Sequence, residues 1–264
     1  MRRQSFVLAD VAMLVICSSS FAQTFIQVEF TPTSPTWFSP FSAVFHDGSF
    51  SEAFDSGDNL SGTGLELLAE TGDNSLYLDN AGPSANVGAN DANLQPGETT
   101  SFTVAVDDTN TQFNFASMVL FSSDWFVGNN GNIDISSLLG ASAGTSLDID
   151  IDGVYDAGTE TEDFTGVGGS GLFPFSTSGA LGVDITDGGV SLLDRSTNPF
   201  ETFTNNQGLD LNGFDVGSLQ AFTAASLGTV SLTVVSAIPE PSSIFALSIA
   251  GLGLAARRRR SVTV

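Results

Sequence analysis

Phe25-Ile26-Gln27-Val28-Glu29-Phe30 sets Ile26, Val28 and Phe30 against Gln27 and Glu29. Apolar side chains at every second residue require a backbone whose successive side chains point to opposite faces, which is a half-buried β-strand. Thr31-Pro32-Thr33-Ser34-Pro35 ends it, because proline has no N–H to give a ladder. The same period returns in residues 101–106, through Phe102, Val104 and Val106, and in residues 229–235, through Val230, Leu232 and Val234, the last strand of the body. Residues 112–121 are apolar almost throughout, the pattern of a central strand covered on both faces. Leu65, Leu67 and Leu68, between Gly64 and Gly72, predict one short helix, and residues 72–97 read mostly as loop. Asn130-Gly131 between Val127 and Ile133 predicts a hairpin turn. Residues 166–189 are rich in glycine and serine, with short strands expected around Phe173, Phe175, Val183 and Ile185. Short strands between turn-rich loops, with almost no helix, predict an all-β fold, an antiparallel β-sandwich with a short helical insert.

The two ends differ from this body. Arg2 and Arg3, an apolar run from Phe6 to Cys17 and the small residues before Gln23 have the order of a secretory signal peptide. The expected cut lies between Ala22 and Gln23, making residues 1–22 the leader. A lipoprotein reading through Cys17 is disfavoured by bulky Ile16 just before it. At the other end, residues 237–264 carry Pro239-Glu240-Pro241, then a short apolar run, then Arg257, Arg258, Arg259 and Arg260. The run is short for a span, which needs roughly 20 residues. The arginines would hold its end on the cytoplasmic side. Motif, apolar run and arginine cluster in that order resemble the PEP-CTERM sorting signal, which implies an exosortase-type processing enzyme as a partner. A plain tail anchor predicts the same membrane side and differs only in whether the tail is cut.

Charge separates body from ends just as sharply. All seven basic residues are arginine, and six lie in the terminal segments. Residues 23–236 keep only Arg195 against 28 of the 30 acids, which leaves a formal charge of −27. Such a surface repels nucleic acid and anionic headgroups and attracts cations. Membrane contact is therefore expected only through the C-terminal segment. Cys17, the only cysteine, departs with the leader, so the exported body forms no disulfide and depends on core packing or metal. The 22 phenylalanines argue for a packed core rather than disorder.

Three stretches together resemble the spondin domain. The first combines residues 25–30 with Phe41-Ser42-Ala43-Val44-Phe45-His46-Asp47 and Leu67-Leu68-Ala69-Glu70-Thr71-Gly72-Asp73. The second is Phe115-Ala116-Ser117-Met118-Val119-Leu120-Phe121-Ser122-Ser123-Asp124-Trp125-Phe126-Val127-Gly128, and the third is Val154-Tyr155-Asp156-Ala157-Gly158-Thr159-Glu160. The resemblance implies a C2-like antiparallel sandwich binding one calcium ion at one end. Carried over by position, its ligands are Asp124, Asp156 and Glu160, with Glu160 standing where the animal domains have aspartate. The animal domains' cysteines have no counterpart, and their adhesion partners do not transfer.

The residues themselves give that site a rationale, since calcium prefers loop carboxylates and both motifs place acids at turns after strand-like runs. Asp148-Ile149-Asp150-Ile151-Asp152-Gly153 copies the opening of an EF-hand loop. Position twelve of that loop would be Thr159 where a bidentate Glu is needed, and alternating Asp and Ile is also what a strand with one exposed face gives. His46 is the only histidine, so no histidine-based triad or multi-histidine metal site can be argued from the sequence. Trp37 and Trp125 fit core or turn packing better than sugar stacking. The functional expectation is a non-enzymatic exported protein of the cell surface or extracellular matrix, with extracellular polysaccharide or surface proteins as partners. Two alternatives stand beside it: a carbohydrate-binding module attached to exopolysaccharide, and a hydrolase with a carboxylate pair, although position singles out no pair.

Overall fold

The structure is a computed structural model that describes residues 23–33, 36–95, 97–120, 122–160, 188–194 and 226–238. The strands are β1 (Gln23–Pro32), β2 (Ser42–His46), β3 (Asn86–Ala89), β4 (Thr100–Asp107), β5 (Gln112–Met118), β6 (Trp125–Gly128), β7 (Ile133–Asp134), β8 (Ser146–Ile151), β9 (Tyr155–Asp156), β10 (Ser191–Leu192) and β11 (Gly228–Ile238). Two short helices, α1 (Gly64–Thr71) and α2 (Ser75–Asp79), lie between β2 and β3. All pairings are antiparallel, in a four-stranded sheet ordered β4-β1-β11-β8 and a seven-stranded sheet ordered β10-β9-β6-β5-β2-β3, with β7 also on β5. The expected antiparallel sandwich is therefore the observed fold. The described residues fall in one compact unit.

Why some strands alternate and others do not follows from what covers each sheet. The four-stranded sheet buries one face only: Ile26, Val28 and Phe30 of β1, with Val104, Val106, Val230, Leu232 and Val234, join the inter-sheet core. Facing them are Phe45, Phe113, Phe115 and Val127 of the seven-stranded sheet and Phe41 just before β2. Phe41 stacks on Phe30 and on Phe115, with ring centroids at 4.7 Å and 5.4 Å. The far face of the seven-stranded sheet is covered too: Val44, Ala116, Met118 and Phe126 pack with Phe50, Phe54, Leu65, Leu68 and Tyr77. Buried on both sides, β2 and β5 lose the period of two, and β5 is central between β2 and β6.

The single helix expected around Leu65 is α1, capped by the Thr63 hydroxyl, which accepts the Glu66 N–H at 3.1 Å. Glu52, buried between Phe50 and Phe54, accepts the Gly64 N–H at 2.7 Å and also the Asn80 side-chain amide, tying α1 to the end of α2. Residues 72–97 are less loop-like than expected, because α2 and β3 lie within them. Tyr77 supplies the signal for α2, since its fully buried ring packs on Phe50, but a five-residue helix has no period to read. The hairpin expected at Asn130-Gly131 is absent. β6 and β7 both pair with β5 instead of with each other. Asn129 bridges the gap: its Oδ1 accepts the Phe115 N–H at 2.9 Å and its amide donates to the carbonyls of Phe113 and Gly131 at 3.3 and 2.7 Å. A side-chain amide thus replaces a strand residue's backbone, which a turn rule does not anticipate. Phe173, Phe175, Val183, Ile185 and Arg195 lie outside the described residues.

Candidate functional site

The sheet registers fix two opposite ends of the sandwich. β1 runs from Gln23, paired with Ile238 and Asp107, to Pro32, paired with Gly228. β5 begins beside the Asp107 end, through the turn in which Asn110 N donates to the Asp107 carbonyl, and it finishes at Met118 at the other end. Ser122, Ser123 and Asp124 follow there, and Asp156 reaches the same place because β9 pairs Asp156 with Trp125. The second and third motifs therefore meet at the end farthest from Gln23 and Ile238.

Ser122 builds the first turn. Its hydroxyl donates to the Val119 carbonyl at 2.7 Å and accepts the Trp125 N–H at 3.0 Å, turning the chain so that Asp124 points inward, with no measurable exposure. Asp124 Oδ2 accepts three hydrogen bonds, from the Thr159 N–H at 2.8 Å, the Glu160 N–H at 3.0 Å and the Thr159 hydroxyl at 3.3 Å. Its backbone carbonyl accepts the Ala157 N–H at 3.1 Å. One carboxylate thereby clamps residues 157–160 to the start of β6. Among the described residues, Asp124 Oδ1 is equally buried but has no hydrogen-bond partner, and the same holds for the neighbouring Ser123 hydroxyl. A buried carboxylate oxygen left unmatched carries a desolvation cost that a cation or water would relieve.

Asp156 lies beside this group. Burial and the adjacent Asp124 charge push its carboxyl above the usual carboxylate range, against the pull of the Gly158 N–H, which Asp156 Oδ1 accepts at 2.7 Å. Gly158 turns with φ of +68°, a conformation that costs a side chain little only when none is present. Its backbone is packed by Gly188, where a Cβ would fall 1.8 Å from the Gly158 carbonyl oxygen. Gly188→Ala is expected to destabilise the fold by about 2 kcal/mol or more, as overpacking against rigid backbone does. Chemical denaturation measures it, and an unchanged midpoint would contradict this packing.

Of the three acids named from sequence, Asp124 and Asp156 are electrostatic neighbours, and Glu160 is joined to Asp124 through its backbone N–H while its side chain is only 4% exposed. Among the described residues, no group of three or more histidine, cysteine, aspartate or glutamate side chains is placed to hold a metal ion. The donors that fit a hard cation are the open Asp124 Oδ1, the Asp156 carboxylate and the Ser123 hydroxyl, all oxygen. The EF-like stretch is a strand, β8, with Asp148 and Asp150 on its exposed face; their carboxylates accept from the Ser231 and Thr229 hydroxyls at 2.5 and 3.5 Å.

His46 is buried, its Nδ1 accepting the Gly48 N–H and its Nε2 donating to Asn114 Oδ1 at 2.6 Å. Burial lowers its pKa, so it is a neutral core residue. Trp125 is buried in the inter-sheet core and Trp37 packs against both cores. Sequence reasoning did not single out Ser123, Thr159 or Glu52. Thr159 entered only as a wrong EF residue, although its place beside the Asp-Ala-Gly turn is what brings two donors to Asp124.

The chain is thus an antiparallel two-sheet β protein with an acidic, partly unsatisfied pole. Comparison with protein families matches residues 237–260 to the PEP-CTERM protein-sorting motif. The motif marks the chain for export and attachment to the cell envelope and implies processing by an exosortase-type enzyme. No curated protein matches the chain at a significant level. The spondin resemblance has no family match beside it. Among the described residues, no helix is long and apolar enough to cross a membrane.

Proposed function

We propose that this is a non-enzymatic envelope protein whose sandwich binds calcium at the Asp124 pole and offers that pole to extracellular polysaccharide or surface proteins. The observation that carries the reading is the buried Asp124 carboxylate, with Oδ2 saturated by three donors and Oδ1 open, next to an Asp156 whose charge is disfavoured. Asp124 and Asp156 would hold the ion, with Ser123 as a neutral oxygen donor, and Glu160 would complete the three acids by turning its side chain toward them. Calcium supplies the positive charge that this body, with Arg195 as its only cation, lacks. The likeness of both motifs to the spondin domain supports the same three acids. Strand β11 ends at Ile238, at the end of the sandwich opposite the Asp124 pole.

The test compares the purified chain on the producing cell's polysaccharide in calcium and in EDTA. Calcium-dependent retention without depolymerisation is the expected result. Release of reducing ends would replace this reading with a carboxylate-pair hydrolase, and equal retention in EDTA would favour a metal-independent carbohydrate-binding module.

A further inference from the structure

The match to the sorting motif begins at residue 237, whereas strand β11 does not end until Ile238. Recognition segment and folded sheet therefore overlap, with no linker between them. The next residue in sequence is Pro239, which has no N–H to give a ladder. A processing enzyme that must grip residues on the body side of Pro239-Glu240-Pro241 would meet a sheet.

The last residues of β11 are held differently from the rest. β8 pairs with β11 only over residues 228–233, and the loop before β8 reaches Val234, where Gly144 N donates to the Val234 carbonyl and Val234 N donates to the Thr145 carbonyl. Beyond Val234, β1 is the only strand paired with β11 among the described residues. That pairing is interrupted: the register shifts between Phe25 and Ile26, which sets off three pairs, Phe25 with Ser236, Thr24 with Ala237 and Gln23 with Ile238. β1 itself is secured on its other side, because Gln23, Thr24 and Phe25 pair with Asp107, Val106 and Ala105 of β4, and the Gln23 amide donates to Asp107 Oδ1 at 3.0 Å. The Thr24 hydroxyl also accepts the Gly140 N–H at 2.9 Å. Val235 and Ser236 are exposed. The end of β11 can thus peel away while β1 remains in the sheet.

We infer that residues 236–238 are a releasable end of β11, which opens from β1 at the bulge to present the sorting motif to the processing enzyme. Opening frees about 10 Å of extended chain, at roughly 3.3 Å per residue, in front of Pro239. Such one-sided terminal pairs belong to the least stable part of a sheet, and enzymes acting on peptide bonds draw on that open population. The inference rests on the sorting motif alone and is independent of calcium at the Asp124 pole.

A disulfide staple tests it in the full-length chain, expressed in cells that carry the sorting enzyme, with mass spectrometry of envelope material reading the fraction that has lost Arg257–Arg260. Phe25→Cys with Ser236→Cys spans the releasable pairs, whereas Gln27→Cys with Thr233→Cys staples the same two strands on the body side of the bulge. The outer staple is expected to lower the processed fraction about ten-fold, and reductant should restore it, while the inner staple leaves it near wild type. Four glycine and serine residues inserted after Ile238 should return the outer-stapled chain to within about two-fold of wild type, because the linker supplies the reach that peeling would have given. An outer-stapled chain, with its disulfide verified, that is processed like wild type would overturn the inference. So would an outer-stapled chain with the insert that stays unprocessed, since reach would then not be what the staple removed.

Discussion

Asp124→Ala is expected to lower the stability of the folded body by about 3 kcal/mol, a fall of roughly 6–12 °C in melting temperature for a domain of this size. The carboxylate is the acceptor for the N–H groups of Thr159 and Glu160 and for the Thr159 hydroxyl. Alanine leaves two backbone donors buried without a partner, each costing on the order of 1–3 kcal/mol. Part of this is returned, because Asp156 no longer faces a second charge. Asp124→Asn separates the two contributions. Its amide oxygen can still accept from Thr159 and Glu160, so it should cost less than half as much as alanine. It also removes the charge that a cation needs. Urea unfolding of the two variants without calcium is the measurement, and equal losses would mean that the clamp on residues 157–160 depends on charge and not on an acceptor.

How far this could be read in advance depends on what each residue faces. Phe25 to Phe30 showed its strand because only one face of its sheet is covered, and β4 and β11 were legible for the same reason. β5 was recognised as central from its unbroken apolar run, which the second core under α1 and α2 explains. α2 and β3 were not legible, being too short to display a period, and the β6–β7 connection depends on the side-chain geometry of Asn129, which no turn pattern encodes. At the site, the motifs named Asp124, Asp156 and Glu160, and spacing alone could not say that they would share one end of the sandwich. That follows from the pairing of Asp156 with Trp125, a contact between strands 31 residues apart in sequence. The contributions of Ser123 and Thr159 were hidden because serine and threonine are ordinary turn residues until a carboxylate lies beside them.

The second large effect is calcium-linked. Asp156 is disfavoured as an anion by burial and by Asp124, so its folded pKa lies above its unfolded value. The sign follows: without metal, its charge costs stability at pH above the raised pKa, and that cost is relieved as the pH falls through it. Calcium acts in the opposite range. It competes with the proton, so its stabilisation is full at neutral pH and shrinks as Asp156 becomes protonated. Binding to the folded state alone adds RT ln(1 + [L]/Kd), about 2.7 kcal/mol at a hundredfold excess of calcium over Kd. A site with Kd on the order of 0.1 to 1 mM, usual for extracellular modules, would therefore act in a calcium-rich medium.

The most direct measurement is the melting temperature of the wild type, Asp156→Ala and Asp148→Ala in calcium, each against sodium at matched ionic strength, because screening alone also relieves repulsion in so acidic a body. Calcium is predicted to raise the wild-type midpoint by roughly 5–10 °C beyond sodium, in line with that binding term. Asp148→Ala, on the exposed face of β8, should keep most of this rise, and Asp156→Ala should lose most of it. An equal rise in wild type and Asp156→Ala would contradict the calcium site at the Asp124 pole.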